Sequence, residues 1–122
     1  MAALVTKDDV IGYREFKGAF AENYVLQSLS TQSTVNLRYW TSNNSAEVDF
    51  LLQYDTHILP IEVKSGKSTS SRSLTLYNAE KHPILRIRYS DKELKLDDNL
   101  LNIPLYMADW TFALLDRVIA SL

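Results

Sequence analysis

Residues 46–64, Ala46-Glu-Val-Asp-Phe50-Leu-Leu-Gln-Tyr-Asp55-Thr-His-Ile-Leu-Pro60-Ile-Glu-Val-Lys64, read as two strands and the turn that joins them. Apolar residues dominate 46–53 and 58–64, and Asp55-Thr56 is the polar break between them. A hairpin turning there pairs Asp49 with Glu62 and Glu47 with Lys64. Directly opposed residues share a face, with Cβ atoms about 4.5–5.5 Å apart. Glu47, Asp49, Glu62 and Lys64 then form one charged cluster, in a register that a slip of one residue would destroy. Val48, Phe50 and Leu52 take the other face of the first strand, and Ile61 and Val63 that of the second. With Leu51 and Ile58 beside them, strands this apolar belong in the middle of a sheet.

Outward from the hairpin, the chain organises as one domain. Residues 1–15 are read as a loose N-terminal segment, since 1–13 show no period, and the domain is taken as 16–122. From about Arg14 to Leu29 the pattern is helical: Gly18, Glu22, Val25, Leu26 and Leu29 fall on one stripe, with Phe16, Phe20 and Tyr24 beside it. Val35 to Thr41 reads as a strand ended by Ser42-Asn-Asn-Ser45. After the hairpin, Ser65 to Ser73 is a polar loop, Leu74 to Lys81 a short helix, and Ile84 to Tyr89 a strand. Leu94–Leu96 and Ile103–Met107 are further apolar pieces, and Asp109 is placed to cap a last helix reaching about Ala120. Helix, three strands, helix and strand, with a strand and a helix appended, define an α/β class with an αβββαβ core and a mixed sheet flanked by helices.

The charged cluster carries the chemistry. Carboxylates on a covered strand are costly unless paired or bound to a cation, and two side by side repel until a cation neutralises them. Oxygen ligation with an open position suits Mg²⁺ or Mn²⁺. Asp49 and Glu62 are the expected metal ligands, with the Val63 carbonyl as a further one. Lys64, two residues from Glu62 and on its face, suits the orientation or deprotonation of an attacking water, or the offsetting of phosphoryl charge. Glu22 interrupts the apolar stripe of the first helix and is expected to complete the site. The competing reading of these residues is an exposed sheet face with cross-strand salt bridges, and for Glu22 a helix-edge carboxylate reaching solvent. The apolar flanks favour the site.

Composition narrows the classes. The chain has 122 residues, 46% of them hydrophobic and 23% charged, with a net charge of −2 and no cysteine. That excludes disulfides, thiolate zinc sites and cysteine nucleophiles. No apolar run is long enough to span a membrane, no secretory signal is evident, and the cytoplasm is the expected compartment. Between Lys64 and Arg88 the cations Lys64, Lys67, Arg72, Lys81, Arg86 and Arg88 face the lone acid Glu80. Lys67 and Arg72 in the loop are the expected nucleic-acid contacts, although a solvated surface explains such a run equally well. His57 and His82 are read as turn residues, and Tyr39, Trp40, Trp110 and Phe112 as core.

The order of Lys17-Gly-Ala-Phe-Ala-Glu22-Asn-Tyr-Val, Tyr39-Trp40-Thr-Ser, Ala46-Glu-Val-Asp49-Phe50, Leu59-Pro-Ile-Glu62-Val-Lys64-Ser-Gly66, Ser73-Leu74 with Tyr77, and Ile103-Pro-Leu-Tyr106 carries a resemblance. Over about residues 16–116 the chain resembles the C-terminal domain of unknown function found in many bacterial and archaeal AAA-type ATPases. That domain is similar in fold to the PD-(D/E)xK nucleases, the restriction-endonuclease-like group that includes archaeal Holliday-junction resolvases. The resemblance implies that Asp49, Glu62 and Lys64 match the nuclease triad and Glu22 the acid of the first helix. Val48 stands where the motif's name has proline. No G-x-x-x-x-G-K-[ST] loop occurs, so the chain is expected to be a domain separated from its ATPase partner and not to hydrolyse ATP. The expected activity is Mg²⁺- or Mn²⁺-dependent, endonuclease-type phosphodiester hydrolysis on DNA, structured or branched. The alternative is a non-catalytic domain of the same fold that binds nucleic acid or protein.

Overall fold

The structure, a computed structural model, describes residues 7–32, 37–41, 47–66 and 71–122, with the side chains of 18–32, 48–66 and 71–122. Helix α1 (Lys7–Gln32) leads into strands β1 (Leu37–Thr41), β2 (Glu47–Tyr54) and β3 (His57–Val63). Helix α2 (Arg72–Lys81) precedes β4 (Arg86–Ser90), β5 (Lys95–Asp97) and β6 (Leu100–Pro104). A 3-10 helix (Leu105–Trp110) runs into α3 (Thr111–Ala120). This is the expected αβββαβ order with an appended C-terminal part.

The six strands lie in the order β1-β2-β3-β4-β6-β5. β1, β2 and β3 pair antiparallel, β3-β4 and β4-β6 parallel, and β5 returns antiparallel to β6. Only a crossover connection can make the parallel β3-β4 pair, and α2 supplies it. The result is a mixed sheet between two helical layers. On one face Ala21, Val25 and Leu29 of α1, spaced one turn apart, pack with Phe50, Leu52, Leu59, Ile61 and Val63, joined by Ala108 and Leu115. On the other, Leu74 and Tyr77 of α2 bury Val48. Among the described residues no helix is long and apolar enough to cross a membrane.

Two expectations change. Helix α1 begins at Lys7 and so takes in residues read as a loose segment. Helical stability comes from packing of the face that carries Ala21, Val25 and Leu29, so the helix extends past the residues that show a period. Asp109 does not cap α3, because it sits inside the 3-10 helix. Instead the side chain of Gln32, at the far end of α1, accepts the Phe112 amide at 3.0 Å and donates to the Ala108 carbonyl at 2.8 Å. Thr111 Oγ1 donates to the same carbonyl at 2.7 Å. A cap supplied from 80 residues away satisfies an orphan amide as well as a local one. Phe112 packs against the core as expected, whereas Trp110 is exposed. The side chains of Tyr39 and Trp40 lie outside the described residues.

Candidate active site

The hairpin turns where expected. Phe50 pairs with Ile61, Leu52 with Leu59 and Tyr54 with His57, and Asp55 takes the left-handed conformation at φ 55°. The β2-β3 pairing ends at Phe50↔Ile61, one step short of the expected Asp49–Glu62 pair. On its other side β2 takes three steps, Val48 to Leu51, against two steps of β1, Arg38 to Trp40. Such a bulge re-aims a side chain, and its effect shows in the packing: Phe50 belongs to the core under α1, while Val48 and Leu51 pack with α2. Released from the ladder, the Asp49 carboxylate accepts the Val63 amide at 2.7 Å. The Lys64 amide donates to the Tyr89 carbonyl at 2.8 Å, which keeps the strand end fixed against β4.

Alternation along β3 puts Ile61 and Val63 on the α1 face and Glu62 and Lys64 on the α2 face. Lys64 Nζ lies 3.3 Å from Glu62 Oε1. Glu62 is only 7% exposed, and its Oε2 is buried with no hydrogen-bond partner among the described residues. Burial raises the Glu62 pKa above the ordinary 4.5, Lys64 pulls it back, and the neighbouring Asp49 charge raises it further. The fold thus holds two carboxylates within each other's field, one with a buried oxygen unmatched among the described residues, and Lys64 beside them. A small hard cation matches that donor set.

The structure therefore brings together Asp49, Glu62 and Lys64. Glu22 is half-buried on α1, where its neighbours Phe20, Ala21 and Tyr24 line a pocket with Ser65, the residue after Lys64, and among the described residues no group of three or more His, Asp or Glu side chains is placed to hold a metal. Arg72 is exposed at the start of α2, on the triad's side of the sheet. Lys67 and the side chain of Glu47 lie outside the described residues. His57 opens β3 rather than sitting in the turn, and His82 ends α2 in the left-handed conformation.

One residue was missed. Arg88 pairs in register with Glu62 across the parallel β3-β4 ladder, and its charge lowers the Glu62 pKa. Only the basic content of 64–88 hinted at it, because parallel register depends on where the crossover helix lands.

The domain of unknown function DUF4143 matches residues 17–107. The chain belongs to that family. No curated protein is significantly similar to it. The DUF4143 match spans α1 from Lys17 to the 3-10 helix, and so contains Asp49, Glu62, Lys64 and Arg88.

Proposed function

We propose that this DUF4143 domain is a metal-dependent phosphodiesterase module of the PD-(D/E)xK kind, acting on structured or branched DNA as the C-terminal part of an AAA-type ATPase. The observation that carries the reading is the buried, unmatched Oε2 of Glu62 beside Asp49 and Lys64 on a central strand. An unsatisfied buried carboxylate oxygen is expensive, and a Mg²⁺ or Mn²⁺ ion held by Asp49, Glu62 and the Val63 carbonyl would satisfy it. Such an ion supplies charge neutralisation at the phosphate. The Val63 amide fixes the Asp49 carboxylate, so that ligand is preorganised. Lys64 orients the attacking water and offsets the charge that grows on the phosphoryl oxygens as the water–phosphorus bond forms and the bond to the leaving sugar oxygen breaks. Lys67 and Arg72 contact the phosphate backbone.

The test is nicking of supercoiled plasmid with Mg²⁺ or Mn²⁺. Wild type should nick, and Lys64→Ala should lose at least about 100-fold, the scale of one removed charge-stabilising group. Equal rates for the two proteins would refute the mechanism. A second reading, a non-catalytic domain that binds nucleic acid or protein, is favoured by the net charge of −2 and by the lack, among the described residues, of three or more His, Asp or Glu side chains grouped to hold a metal. No nicking by wild type with either metal, together with retained DNA binding, would select it.

A further inference from the structure

Register across the sheet aligns four polar residues on the α2 face. Glu62 pairs with Arg88, Arg88 with Asn102, and Asn102 with Lys95, on β3, β4, β6 and β5. In-register neighbours project to the same side, so the row runs outward from the Asp49–Glu62–Lys64 cluster. Its second member is held at two nitrogens. Arg88 Nε donates to Asn102 Oδ1 at 3.0 Å, and Nη1 donates to Ser71 Oγ at 2.8 Å.

Both anchors are themselves fixed. Asn102 is buried, and its amide is engaged at each end. Oδ1 also accepts from Ser90 Oγ at 2.6 Å, and Nδ2 donates to the carbonyls of Lys92 at 3.1 Å and Glu93 at 2.9 Å. Ser71 immediately precedes α2, and its carbonyl accepts both the amide and the hydroxyl of Thr75, each at 2.9 Å. A planar guanidinium gripped at Nε and Nη1 has no torsional freedom left, unlike an ammonium on a four-carbon stem. Sequence-distant segments are thereby tied at one point: the strand carrying Glu62, the turn after β4, and the start of α2 with Arg72.

We propose that Arg88 is the positioning residue of this site, holding the first turn of α2 against the sheet and setting the Glu62 carboxylate between its own charge and that of Lys64. The Glu62 half rests on the metal-site reading above, whereas the Ser71 half stands on the hydrogen bonds alone. α2 needs such a tether, since its N-cap residue Ser71 makes no side-chain cap bond and its first turn has no acidic residue. Without these, the N-terminal turn of a ten-residue helix frays readily.

The experiment uses the 122-residue chain as wild type, Arg88→Lys and Ser71→Ala. It reads site-resolved amide hydrogen exchange and Mn²⁺ affinity by electron paramagnetic resonance. Arg88→Lys should speed exchange at Thr75 and Leu76 by about tenfold, the scale of one lost charge-assisted hydrogen bond, while the amides of β2 and β3 keep their protection. It should also weaken Mn²⁺ binding, and Ser71→Ala should reproduce the exchange change with Mn²⁺ affinity unaltered. Unchanged exchange in Arg88→Lys overturns the proposal. So does uniform acceleration over the whole sheet, which is loss of global stability rather than of a tether. Equal Mn²⁺ affinity of wild type and Arg88→Lys overturns the Glu62 half. Wild type that takes up no Mn²⁺ removes the metal-site reading and leaves the exchange result to decide the tether.

Discussion

At Glu62 the fold sets burial against charge pairing. The raised pKa is caused first by desolvation and is only offset by the Lys64 contact. The sign for stability follows from linkage. A carboxyl that holds its proton more tightly folded than unfolded contributes its full stability below the ordinary value of 4.5, and that contribution is lost as pH rises through the folded value. Glu62→Gln removes the charged form. Its melting temperature relative to wild type should therefore climb as pH rises above the ordinary carboxyl value of 4.5 and Glu62 ionises. A difference that stays flat with pH would mean that Glu62 titrates as an exposed carboxylate does. Added Mg²⁺ or Mn²⁺ should reverse the order, since binding to the folded form stabilises by mass action and the amide cannot replace the carboxylate. Asp49→Asn should keep its fold, because the new side-chain carbonyl still accepts the Val63 amide, and should lose the metal-dependent rise in melting temperature. An undiminished rise would place the metal elsewhere.

Among the elements, α2 and α3 depend on distant residues more than on their own sequences. α2 is seated by Leu74 and Tyr77, both buried against Val48. Leu74→Ala should cost about 2–5 kcal/mol, as a cavity beneath a short helix does, measured by urea unfolding. A loss well under 1 kcal/mol would mean that α2 contributes little to the packing. α3 starts under the Gln32 side chain. Gln32→Ala should cost roughly 1 kcal/mol, a typical cap loss, or about 4 °C in melting temperature for a domain of this size. Asp109→Ala should cost much less. The reverse ranking would restore Asp109 as the cap. The C-terminal end is further pinned by the buried pair Tyr89–Thr111, 2.7 Å between hydroxyl oxygens, and by the Tyr54 hydroxyl, which donates to Asp116.

For the molecule as a whole, charge limits what it can do to DNA. The net charge is −2, so long-range attraction to a polyanion is weak, and on the proposed reading contact comes from the α2 face near Lys64 and Arg72. Two or three phosphate contacts give a slope of log affinity against log salt of about −2 to −3, at roughly −0.9 per phosphate. Fluorescence anisotropy with labelled duplex and branched DNA should show weak binding with that shallow slope, strengthened by Mg²⁺ and reduced by Arg72→Glu. A steep slope, near the −10 of a highly basic binder, would require a basic surface elsewhere in the chain.

The hairpin register was legible from residues 46–64, and the αβββαβ order from the chain around them, because strand alternation, helical period and polar turns are local signals, set by neighbours within a few residues. The membership of Asp49, Glu62 and Lys64 in one cluster was legible for the same reason. How Asp49 joins it was not: the bulge that frees it from the ladder depends on β1, a different strand, and cannot be read from β2 alone. Glu22 shares the apolar stripe of α1, and a helical stripe says which side of the helix faces the body and not which polar groups it meets there. Gln32 as the cap of α3 and Arg88 as the in-register neighbour of Glu62 had no local signature at all. Each is created by where a crossover or a helix end comes to rest. Local periodicity and polarity belong to the sequence, while contacts between segments separated by many residues arise only when burial of the common core brings them together.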